Sequence, residues 1–247
     1  MSSKQYLGII MSAFQTSLLS IGLLTLPVLA TTTLSPLSPY ANTDPLPEGF
    51  VAGLDFNDSS PTAAGYLGVG ASNNKSYNLT HNGVNFDITV SNANLGNQNR
   101  YRGAGNLANN GALLADFEQW YGNTGTPVEV TFELTGLNPV SEYRLGFFHV
   151  NIGCCQTTQT YFDGDSSAAP LIGTNQSGGN FRTPSTWEPG TEITKWSDRD
   201  GKLTITAIAE DGGQRFTLAG LYVAVPEPSS AALLGLAGGL ALLRRRR

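Results

Sequence analysis

Three stretches of the chain alternate apolar and polar residues with a period of two: Val84–Val90, Val128–Leu134 and Leu203–Ala209. Each places one hydrophobic face on a core and the other toward water, the pattern of a half-buried strand. Tyr143–Val150 and Phe216–Val225 are denser in apolar residues and read as central strands covered on both faces, and Phe50–Phe56 reads as the first strand. Turn pairs punctuate these runs at Asn82-Gly83, Asp163-Gly164, Asp200-Gly201 and Asp211-Gly212-Gly213, each suited to positive φ. The segment 95–111 is rich in Asn and Gly and reads as a long loop, and 112–121 fits either a short helix or a strand. The expected body is all-β, with two packed antiparallel sheets spanning residues 48–225.

The two ends follow a different pattern. Residues 1–30 carry Lys4, then a lengthening apolar stretch, and finish Val28-Leu29-Ala30, where small residues at the last and third-last positions suit a signal peptidase. An uncleaved anchor is the alternative. Residues 31–47 are rich in Thr, Ser and Pro and are expected to be an unstructured spacer. At the far end, residues 226–247 join Pro226-Glu227-Pro228 to an apolar run and then to Arg244, Arg245, Arg246 and Arg247. Two prolines one residue apart fit neither a helix interior nor a sheet interior, so this triplet is expected to stand extended and open to processing. The apolar run of about 15 residues makes a helix of roughly 22 Å, short for a bilayer core of about 30 Å. Snorkelling arginines close that difference, and their charge holds the tip on the cytoplasmic side.

This order of parts resembles the PEP-CTERM sorting signal of Gram-negative bacteria. The resemblance implies export, recognition by an exosortase-type membrane protease, cleavage near Pro226, Glu227 and Pro228, and delivery to the cell surface or extracellular matrix, alongside exopolysaccharide production. It concerns the address and leaves the activity of the body open.

Composition narrows the body's partners. Charged residues make up 13% of the chain, and between the two ends 18 acidic groups face nine basic ones. Such a surface repels nucleic acid. The segment Leu134–Leu145 contains Leu137, Pro139 and Tyr143 in the spacing Leu-x-Pro-x-x-x-Tyr, and is similar to the tyrosine corner of fibronectin type III and related sandwiches. The resemblance implies that the Tyr143 hydroxyl bonds back to the turn. At roughly 180 residues the body is too long for one such module, so a jelly roll of the galactose-binding type is the expected form.

Candidate chemistry is sparse. His81 and His149 lack a second metal ligand at zinc spacing, no Gly-x-Ser-x-Gly occurs, and a non-catalytic body is the expectation. Cofactors are expected to be absent, with calcium the one candidate, at Asp163-Gly164-Asp165 or Asp198-Arg199-Asp200-Gly201. Backbone turn chemistry is the other reading of those acids. Cys154 and Cys155, the two cysteines of the chain, form a candidate vicinal disulfide or a pair of intermolecular crosslinks in an oxidising compartment. Tyr101, Trp120 and Trp187 are the candidate ligand-binding aromatics, since such rings stack on sugar faces, although a sandwich also uses Trp in its core. The sequence therefore supports an exported surface protein whose sandwich contacts carbohydrate. A polysaccharide-active enzyme, or a structural or adhesive subunit crosslinked through cysteine, is the alternative.

Overall fold

The computed structural model describes residues 31–37, 46–57, 62–70, 75–94, 118–122, 126–149, 157–177, 190–209 and 215–226. Among these residues there are 15 strands and no helix. One six-stranded sheet runs β1 (Thr33–Pro36), β12 (Gly190–Trp196), β9 (Glu142–Phe148), β15 (Gly220–Ala224), β2 (Phe50–Asn57) and β3 (Leu67–Gly70). The other runs β11 (Leu171–Ser177), β10 (Thr157–Phe162), β13 (Leu203–Ala209), β8 (Glu129–Thr135), β5 (Val84–Ser91) and β4 (Ser76–His81). A small third sheet joins β14 (Arg215–Leu218), β7 (Glu118–Gly122) and β6 (Ala93–Asn94). All pairings are antiparallel except that of β2 with β3.

The alternating segments behave as their pattern requires. In β5 and β8 the apolar residues Phe86, Ile88, Val130 and Phe132 are buried, while Asn85, Asp87, Thr131 and Glu133 face outward. Phe132 lies 4.9 Å from Phe147 of the opposite sheet, ring centre to ring centre. An aromatic chain continues through Phe216, Trp120, Tyr77 and Phe56, with centroids 5.6–6.4 Å apart. These tilted and edge-on contacts are the geometry that ring quadrupoles favour.

The structure revises two expectations and decides part of a third between its alternatives. The stretch expected as an unstructured spacer contributes β1, which pairs with β12 from Thr33↔Thr194 to Pro36↔Thr191, and Leu37 is buried behind it. Pro36 is tolerated because β1 is an edge strand, where a missing N–H costs the ladder little. The segment 112–121 ends in strand β7, with 112–117 outside the described residues. Phe216–Val225 is two strands: the chain leaves the small sheet at Ala219 and enters the large one as β15. Ala219 keeps its backbone bonded across the step, its N–H donating to Phe148 O at 2.8 Å and its carbonyl accepting from Phe56 N at 2.9 Å.

The turn pairs serve different ends. Asn82 and Gly83 both have positive φ, 49° and 83°, as a tight hairpin between β4 and β5 requires. Gly201 is also left-handed (φ 71°), but it joins strands of opposite sheets, and a Cβ there would lie 2.1 Å from Leu137 O. Gly164 does not have positive φ. The tyrosine corner is present: Asn138 N donates to Tyr143 Oη at 2.8 Å, and Leu137 N donates to Gly201 O at 3.2 Å. Residues 1–30, read as a signal segment, residues 95–111, read as a long loop, Asp211-Gly212-Gly213 and the C-terminal apolar run lie outside the described residues.

Replacing Tyr143 with Phe leaves the part-buried Asn138 N–H without its acceptor while keeping the ring. Urea titration of Tyr143→Phe is expected to show a loss of about 1–2 kcal/mol at unchanged m-value. An unchanged midpoint would show that the corner does not stabilise the fold.

Candidate functional site

On the outer face of the first large sheet, register brings three residues into one row. Gly146 of β9 pairs with Glu192 of β12 on one side and with Tyr222 of β15 on the other. A Cβ at Gly146 would lie 2.0 Å from the Tyr222 ring, so the ring rests directly on the glycine backbone. It crosses the intervening strand, and its hydroxyl donates to Glu192 Oε2. Arg144, two residues back on β9 and on the same face, places Nη1 3.6 Å from Glu192 Oε2 and donates from Nη2 to Glu48 O at 2.5 Å. These groups, with Pro36, Leu37 and Pro47, line a cavity of about 200 Å³.

The polar groups of this cleft are only partly satisfied. At 3.6 Å the Arg144–Glu192 contact is an ion pair without a direct hydrogen bond. Among the described residues Arg144 Nε is buried with no hydrogen-bond partner. The two side chains are 26% and 17% exposed, enough to meet a ligand and little enough to be held in place. The cleft thus presents a guanidinium donor beside a carboxylate acceptor, over apolar proline and leucine surface.

A second polar cluster is sealed inside. His149, at the end of β9, is fully buried against Phe147, Tyr161 and Phe216. Its Nδ1 lies 2.6 Å from Thr217 O, which only accepts, so Nδ1 carries the proton and Nε2 accepts from Tyr161 Oη. Burial lowers the His149 pKa to about 4, against a smaller opposing effect of the Thr217 bond. The Tyr161 hydroxyl is pushed well above its ordinary range, again by burial first. Neither group reaches solvent, so this cluster organises the core.

The acidic turns use their carboxylates within the protein. Lys195 of β12 donates to Asp163 Oδ1, and Thr32 Oγ1 donates to Asp163 Oδ2 at 2.7 Å, tying the two sheets together beside β1. Burial raises the Asp163 pKa, and the bonds from Lys195 and Thr32 outweigh it, for a net lowering. Asp198 Oδ1 accepts from the backbone N–H of Asp200 at 2.9 Å and of Lys202 at 2.8 Å, the turn reading of that segment. Among the described residues no three His, Cys, Asp or Glu side chains converge as metal ligands would.

Of the aromatic candidates, Trp120 is 5% exposed and its ring packs between Tyr77 and Phe216, so core packing occupies it. Tyr101, Trp187, Cys154 and Cys155 lie outside the described residues, as do Glu227 and Pro228. Pro226 follows directly on Val225, whose N–H donates to Gly49 O at 2.9 Å, so the Pro-Glu-Pro triplet begins where sheet bonding stops. The cleft residues Arg144, Glu192 and Tyr222 were not singled out by sequence. The available signal was a charged residue, Arg144, inside a strand read as covered on both faces.

No family model matches the sequence, and no curated protein matches it. Among solved structures the chain is similar to TmCBM61, solved in complex with β-1,4-galactotriose, at 15% identity and a TM-score of 0.33, covering 58% of this chain and 87% of that one. It is also similar to the enzymatically active domain of bacteriophage CBA120 tailspike protein 4, at 12% identity and a TM-score of 0.28. That match covers 65% of this chain and 23% of the tailspike chain. Neither likeness bears on what this chain binds.

The His149 geometry gives stability a pH dependence. Its folded-state pKa of about 4 lies below the 6.5 of an accessible imidazole, so on acidification the unfolded chain takes up the proton first. The contribution is full above pH ~6.5 and is lost as pH falls toward ~4, a change of roughly 3 kcal/mol. Denaturant titrations across this range are expected to show that slope in the wild type and its loss in His149→Phe. Equal slopes in both proteins would contradict the assignment.

Proposed function

We propose that the chain is an exported, non-catalytic protein of the cell surface or extracellular matrix whose β-sandwich binds carbohydrate in the Arg144–Glu192 cleft. The observation that carries the binding reading is the adjacency of an under-bonded guanidinium and a carboxylate at one concave site with an apolar rim. Hydroxyl groups both donate and accept, and sugar rings add an apolar face of C–H groups, so the two halves of the ligand meet the two halves of the site. From β8 to β10, and again from β11 to β13, each strand lies in the sheet opposite its predecessor, a winding that supports the jelly-roll reading.

The address rests on the sequence. An export signal at one end and Pro226-Glu227-Pro228, an apolar run and four arginines at the other support passage across the membrane and exosortase-type processing. In this reading the C-terminal apolar run holds the intermediate in the inner membrane, and the processed body is released to the surface. The non-catalytic reading draws support from the cleft: acid–base cleavage of a glycoside calls on two carboxylates placed on either side of the bond, and here Glu192 lies within the cleft while Glu48 is an exposed residue at its rim. Glu192 accepts from Tyr222 and pairs with Arg144, contacts that support a binding role for it.

The test is a glycan array probed with the full chain, followed by a reducing-end assay on every glycan that binds. Binding without release of new reducing ends is the expected outcome. New reducing ends would replace this reading with that of a polysaccharide-active enzyme. Silence across the array would leave a structural or adhesive subunit.

A further inference from the structure

Resting on that reading, we propose that the cleft is a subsite for one neutral sugar ring, gripped through two adjacent hydroxyls, and that it rejects acidic sugars. Its size sets the first limit. About 200 Å³ is the space of roughly seven waters, and pockets for drug-sized ligands measure about 300–1,000 Å³. One ring fits that space, and the rest of a chain would lie outside the cleft.

Charge sets the second limit. Arg144 and Glu192 compensate one another across 3.6 Å, so the pair presents no net charge for an ionic ligand to neutralise. A sugar carboxylate drawn to Arg144 would sit within a few ångströms of Glu192, and exposed Glu48 adds another carboxylate at the rim. An ammonium drawn to Glu192 would meet Arg144 in the same way. Like charges at that separation disfavour binding even in a half-solvated site.

Hydrogen-bond inventory makes the site positive for a diol. Tyr222 and Arg144 both engage Glu192 through Oε2, and among the described residues Oε1 makes no hydrogen bond. The Arg144 Nη2 group is used by Glu48 O, whereas Nη1 makes only the long ion pair. One open acceptor therefore stands beside one open donor. Neighbouring ring hydroxyls, one donating to Glu192 Oε1 and the other accepting from Arg144 Nη1, complete both. The Tyr222 bond anchors the carboxylate through Oε2 and leaves Oε1 to accept from the ligand, and Gly146 gives the phenol room to do so.

Ligand-observed NMR titrations of the full chain test this with methyl glucoside, methyl galactoside and methyl mannoside, each against its uronic acid counterpart. At least one neutral glycoside is expected to bind, with its uronate about tenfold weaker or worse. In Glu192→Gln, whose amide oxygen still accepts from Tyr222, the gap is expected to close from the uronate side. Arg144→Gln is expected to weaken the neutral sugar about tenfold or more, with thermal unfolding of both variants confirming the fold. A uronate that binds as tightly as its neutral partner would overturn the proposal. Neutral binding unchanged in both variants would also overturn it, while leaving carbohydrate binding in place at another site. Failure of every glycan, on the array and in solution, would remove both readings together.

Discussion

The outer face of the first sheet depends on one close approach, that of the Tyr222 ring to the backbone of Gly146. Any side chain at position 146 would occupy the space of that ring. With the glycine in place the phenol spans a full strand and reaches Glu192 on the next. A polar row is thereby built across three strands from residues that are far apart in sequence. The backbone ladders on either side of β9 fix its spacing, so the carboxylate, the guanidinium and the phenol sit on a rigid hydrogen-bonded frame of strands and not on loops.

That rigidity has its source on the opposite face of the same strands. Leu145 and Phe147 of β9 alternate with Arg144 and Gly146 and point into the aromatic core, where Phe147 meets Phe132 and Tyr161. Period-two geometry makes the coupling strict, because a register slip by one residue would bury Arg144 and expose Phe147. At the end of β9, His149 and Tyr161 bond to each other inside the core. Lys195, Asp163 and Thr32 fasten the sheets beside β1. The cleft is therefore the solvent side of a strand whose other side is fixed by packing and by polar bonds in both sheets.

Much of this was legible from sequence, for identifiable reasons. Val84–Val90 and Val128–Leu134 alternate cleanly because each has one outward face, Leu203–Ala209 alternates although Thr206 on its outward side is buried, and all three form strands. The tyrosine corner was readable from Leu137, Pro139 and Tyr143. Strands β10, β11 and β12 were not, because Thr157–Phe162, Leu171–Ser177 and Gly190–Trp196 are rich in Thr, Gln and Asn. Their polar side chains bond instead to one another, as Thr160 does with Thr174 on the neighbouring strand and Asn175 does with Thr191 of the opposite sheet. Edge strand β1 was hidden by Pro36 and the Thr/Ser/Pro-rich stretch around it, and the break at Ala219 by an apolar run that serves two sheets in succession. The cleft was hidden for a deeper reason: its members become neighbours only through strand order. Nothing in the spacing of Arg144, Glu192 and Tyr222 announces that β9 lies between β12 and β15.

The most direct measurement of the central claim is the arginine side-chain NMR spectrum of the full chain during titration with the neutral glycoside it binds best. If ligand is held between Arg144 and Glu192, the Arg144 guanidinium resonances shift in step with occupancy, and their exchange with water slows as the open donor is filled. Saturation of the ligand with the Arg144 signals unmoved, and shifts gathered instead on the outer face of β5 and β8, would contradict the account.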